Sequence, residues 1–177
     1  MTAPEPWLRG PLPGVPRELL PAAHALAQAA EDIPRAVLSP APLASRLLWA
    51  RPGGAASVGF HLRHVAGSID RLLTYAAGGA LTDAQRTFLG AEGSADADPS
   101  DAEGLARLAT AAVERAMATI RATPVDGLYE PRAVGRLALP SSVFGLLFHV
   151  AEHTQRHVGQ IVTTAKVVRG MGAAGGR

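Results

Sequence analysis

A chain of 177 residues with 47% hydrophobic and 18% charged side chains is the size of one domain with a substantial core and a thinly charged surface. Its net charge of +2 forms no basic stripe, so nucleic acid is not an expected partner, and every basic residue except Lys166 is arginine. The absence of cysteine excludes disulfides and thiolate ligands; any metal must be held by nitrogen or oxygen.

In chain order, Pro11, Pro13 and Pro16 make residues 1–15 an extended lead-in without the apolar centre of a signal peptide. Pro16 suits the first turn of a helix, and Leu19, Leu20, Ala23, Leu26, Ala27 and Ala30 have helical spacing. Pro34, Pro40 and Pro42 should end or bend this first helix. Ser57 is the expected N-cap of a second helix reaching about Ala77, with Val58, His61, Leu62, Val65, Ile69, Leu72 and Leu73 on one face. Thr82 and Asp83 can cap a short helix through Leu89, and residues 90–99 read as a loop. Ser100 and Glu103 have capping-box spacing ahead of a third main helix, about Asp101 to Ala122, which Pro124 follows.

Residues 125–140 lack a helical period, and Tyr129 to Leu139 reads as irregular or as a short hairpin. Ser141 or Ser142 should then cap a last helix to about Arg169, buried nearly all round over Val143–Val150, with residues 170–177 a flexible tail. The expectation is a single all-α domain over 1–177: a four-helix bundle with a long connection between helices three and four. Arg, His or Glu interrupts every apolar run before it reaches the length of a membrane span, so the expected compartment is the cytoplasm.

The chemistry concentrates in histidine. His149, His153 and His157 recur every fourth residue and so stack on one helix face. Imidazole is the commonest protein ligand for zinc and nickel. A compact site needs ligands from a facing element, and the second helix offers His61 and His64. The most economical site joins His64 to His153 and His157; three neutral imidazoles leave positions open for water or substrate. His61 and His149 could instead pack or contact substrate, and His24 reads as a partly exposed helix residue. Gly159 costs about 1 kcal/mol in a helix and so points to a close helix approach, and Gln160 can bond backbone or a ligand histidine.

His64-Val65-Ala66, together with His153-Thr154-Gln155-Arg156-His157-Val158-Gly159-Gln160, resembles the DinB/YfiT-like superfamily of metal-binding four-helix bundles. The resemblance covers the helix order from about Leu20 to Arg169. It implies His64, His153 and His157 as ligands of nickel or zinc and a homodimer, and it suggests a thiol-dependent S-transferase acting with a small-molecule thiol. Val158 departs from the arginine common before Gly-Gln in that family, which leaves Arg156 or Arg63 as a substitute.

Three functions compete. In a transferase, coordination strips the proton from a thiol, and Arg63, Arg71 or Arg156 holds a carboxylate, although solvated surface charge is the plainer reading of each arginine. A metal-dependent hydrolase would activate water, with Glu152 as a weak candidate base. His149-Val150-Ala151-Glu152-His153 even has a peptidase spacing, but no Asp or Glu follows Glu152 to complete that site. The third reading is a non-enzymatic, dimeric metal- or ligand-binding stress protein.

Overall fold

The computed structural model describes residues 4–97 and 100–174. Helices α1 (Leu20–Leu38), α2 (Ser45–Leu48), α3 (Val58–Ala76), α4 (Asp83–Ala91), α5 (Ala102–Ala122) and α6 (Val143–Ala174) follow in order, with strands β1 (Pro131–Val134) and β2 (Leu139–Ser142) between α5 and α6. Both α1 and α3 pack against both α5 and α6, so the four long helices share one core. Leu26 and Ile33 of α1, Leu62 and Ile69 of α3, Leu105 and Ile120 of α5, and Leu147 and Ile161 of α6 are fully buried there. The fold is mostly helical, with the hairpin as its only sheet among the described residues.

The helix starts follow from side chains that satisfy otherwise orphaned amides. Ser57 Oγ accepts from Phe60 N at 3.1 Å, and Thr82 and Gln85 cap each other's backbone reciprocally. The cap of α5 is Asp101 rather than Ser100: its carboxylate accepts from Gly104 N at 2.8 Å, placing negative charge at the positive end of the helix. Ser142 Oγ accepts from Gly145 N at 3.0 Å and starts α6.

Pro34 does not end α1, which runs through it to Leu38. A proline inside a helix costs about 3 kcal/mol. The neighbouring Ile33 and Val37 are 0% exposed, and burying two such side chains returns about 1.5–3 kcal/mol each, enough to carry the helix past the missing donor. His24 is also more buried than expected, with Nε2 at 2.7 Å from Gly10 O, which ties the lead-in to α1.

The hairpin pairs Pro131 with Ser142 and Val134 with Leu139, and the Glu130 and Leu128 carbonyls accept from the amides of Val143 and Phe144. This anchors the first turn of α6. That helix continues past Arg169 to Ala174, so residues 170–174 are helical, and 175–177 lie outside the described residues. Arg169 donates to Val37 O at 3.0 Å and binds the far end of α6 to α1. The expected all-round burial at the start of α6 does not hold, because its main neighbours, α1 and α3, leave part of its surface uncovered. Phe148 is 49% exposed, and His149 faces outward with it.

Candidate metal centre

His61 and His64 lie one turn apart on α3, and His153 and His157 one turn apart on α6. Packing of α3 on α6 brings the two pairs together. One ligand atom from each of His64, His153 and His157 lies within 4.8 Å of the other two. His64 Nε2 is 2.9 Å from His153 Nε2, and the His157 ring centroid is 4.5 Å from that of His64 and 4.6 Å from that of His153.

Contacts behind the rings set their tautomers. His64 Nδ1 donates to Glu92 Oε2 at 2.7 Å, which leaves its Nε2 as a lone pair turned toward His153. Glu92, 2% exposed at the end of α4, also accepts from Arg71 Nη1 at 2.7 Å, so its charge is compensated. His157 Nδ1 is 2.9 Å from His61 Nδ1, an arrangement that needs one proton between them; with His157 as the donor, its Nε2 keeps its lone pair. His153 Nδ1 is buried without a partner.

Burial is the main cause that holds these imidazoles neutral, and the neighbouring His64 adds to it. His61 and His153 are each pulled down to about 4, and His157 to about 3. At neutral pH His61, His153 and His157 therefore offer nitrogen lone pairs without first losing protons.

The donor set fits a metal. Two nitrogens on a tetrahedral cation with bonds of about 2.0–2.1 Å sit roughly 3.3 Å apart, near the His64–His153 separation seen here. Imidazole ligands without thiolate suit zinc, nickel, copper or iron. When such an ion is bound, it supplies Lewis acidity at whatever position the protein leaves open.

The rim is aromatic and charged. Phe60 stacks on His64 with centroids 5.3 Å apart, and His149 lies 5.3 Å from His153 by the same measure. His149 itself is turned to Glu152, Nδ1 to Oε2 at 3.0 Å, and is not one of the three converging histidines. Glu152 also accepts from Arg156, which holds its carboxyl below the usual range. The cavity of about 760 Å³ beneath the lead-in is lined by His24 and Gln155 but by none of the clustered histidines, so it is a separate feature.

Three expectations change. Arg63 and Arg71 are not solvated; they are 3% and 9% exposed, Arg71 on Glu92 and Arg63 on Ser94 O at 2.9 Å and over the Phe88 ring. Gly159 marks no close approach, since a Cβ there would meet nothing within 4 Å. Gln160 is exposed.

The DinB superfamily profile matches residues 21–161, from the first turn of α1 to just beyond His157 on α6. The chain belongs to the DinB superfamily. No curated protein matches the sequence. Within this DinB chain, the position of the departure, Val158, is 3% exposed and part of the core, whereas Arg156 reaches the rim.

Glu92 is what sequence reasoning missed in the DinB site, and Arg71, expected to hold a substrate carboxylate if anything, pairs with Glu92 instead. The legible trace of Glu92 is Gly67, one turn after His64. A Cβ at Gly67 would overlap the Glu92 carboxylate and lie 2.8 Å from both Arg71 Nη1 and the Phe88 ring. Gly67→Ala should therefore destabilise by about 1–3 kcal/mol through overpacking, outweighing the roughly 1 kcal/mol that alanine gains in a helix. Urea melts would check this, and a raised midpoint would contradict it.

Proposed function

We propose that this DinB protein is a four-helix bundle that holds nickel or zinc on His64, His153 and His157, and that it acts as a thiol-dependent S-transferase. The observation that carries the reading is the convergence of three imidazoles, at least two of them held neutral, beside a partly exposed rim. A bound divalent ion would lower the pKa of a coordinating small-molecule thiol and so raise its nucleophilicity at neutral pH.

The residues of the chain do the rest. Glu92 and His61 hold His64 and His157 with Nε2 forward, Phe60 keeps water from one side, and Arg156 offers a cation for an anionic group of either substrate. The hydrolase alternative loses its candidate base. Glu152 is engaged by Arg156 and His149, and its lowered pKa makes it a poor proton acceptor.

The outward apolar side chains Phe148, Val167 and Met171 along α6 support a homodimer. No helix among the described residues is long and apolar enough to cross a membrane, and a cytoplasmic location is part of this proposal.

Elemental analysis of untagged protein should find nickel or zinc. Metal-loaded protein should then join small thiols to electrophiles and leave generic esters and amides intact. Turnover of esters or amides without thiol would replace the transferase with a hydrolase. No turnover in either assay would leave a metal-binding protein.

A further inference from the structure

Helix α4 buries none of its own residues, yet it is docked on α3. Polar groups at both of its ends explain how, and the buried ones lie at the C-terminal end. Glu92 is 2% exposed and carries two contacts from α3, the His64 Nδ1 donor and the Arg71 guanidinium. Two residues on, Ser94 O accepts from Arg63, again on α3 and itself buried. Gly67 clears the space in which the carboxylate sits. The segment is thus attached to α3 by Gln85 on Asp70 and Thr74 near its start, by Phe88 under the Arg63 guanidinium and, at its end, by one buried acid whose partner is a candidate ligand.

We infer that Glu92 is a positioning residue that fixes His64 with Nε2 toward the metal and, through that bond, couples metal binding to the docking of α4. The inference rests on the metal reading above. A carboxylate behind an imidazole holds its tautomer and ring direction and raises its basicity as a ligand. The coupling must be reciprocal: the factor by which docked Glu92 tightens metal binding is the factor by which metal tightens docking. Arg71 holds the other carboxylate oxygen at 2.7 Å, and Arg63 holds the adjoining backbone in reach.

The test uses zinc alone as the probe, with affinity measured against a competing chelator and with amide hydrogen exchange. Glu92→Gln should bind zinc about 10- to 100-fold more weakly than the wild type, and Glu92→Asp should recover part of the loss. In the wild type, zinc should slow exchange at residues 86–91 by up to that same factor beyond any slowing in α5, which takes no part in these hydrogen bonds. In Glu92→Gln that excess should vanish.

Equal zinc affinity in wild type and Glu92→Gln, or no excess protection of α4 in the wild type, would overturn the inference while leaving the metal site standing. A wild type that binds no zinc would overturn the metal reading and this inference with it. Should Glu92→Gln fail to fold because Arg71 is left unpaired, the Arg71→Met/Glu92→Gln pair removes both charges. The wild-type exchange comparison decides without any variant.

Discussion

Alanine at His64, His153 or His157 should weaken zinc or nickel binding by on the order of 10²- to 10³-fold each, the share of one ligand in a structural zinc site worth about 10–16 kcal/mol over four ligands. Alanine at His61 should cost less, about 10- to 100-fold, because it stands behind His157 and not among the converging atoms. His149→Ala and His24→Ala should change affinity little: His149 is turned to Glu152, and His24 lies at the lead-in. Chelator competition across the six variants reads this ranking directly. A loss at His149 as large as at His153 would place a different set of histidines on the metal.

The same variants should divide binding from stability. His64 and His157 give up hydrogen bonds to Glu92 and His61 when replaced, whereas His153 gives up only its short contact with His64 and carries a buried Nδ1 with no partner. An unsatisfied buried polar atom costs about 1–3 kcal/mol. Metal-free His153→Ala should accordingly unfold no earlier than metal-free His64→Ala, even though both lose the metal. Thermal melts in chelator compare them.

The histidines were legible because their spacing is a helical property: residues three or four apart share a face whatever surrounds them. The helices that bear them were legible for the same reason, and Ser57 and Thr82 announced two of the starts. The buried charges were not. Glu92 is 28 residues from His64, and no period links the end of α4 to the middle of α3. Arg63 and Arg71 read as solvent-facing because arginine is mostly exposed; only the arrival of Glu92, Ser94 and Phe88 from another element makes their burial affordable. Phe148 failed in the opposite direction. An apolar run implies burial only where a neighbour covers every side, and the packing of α6 on α1 and α3 leaves Phe148 uncovered.

Acid should destabilise the metal-free protein well above the range in which carboxylates titrate. In the unfolded chain the imidazoles of His61, His153 and His157 take up protons near 6.5, whereas in the folded protein they hold out to about 4, about 4 and about 3. Between these limits the unfolded state binds more protons, up to three more, and stability rises with pH wherever that is so. Stability is therefore fully present above pH 6.5 and is lost as pH falls toward 4. The cause is physical crowding: each ring is out of water, and a proton on His64 opposes a charge on any of the three. Urea midpoints of chelator-treated protein at pH 7, 5.5 and 4.5 should drop steadily. His157→Gln, which removes the most depressed of the three, should flatten the profile. A midpoint that stays level over this window, or a His157→Gln profile as steep as the wild type, would mean that the cluster is not held neutral by burial.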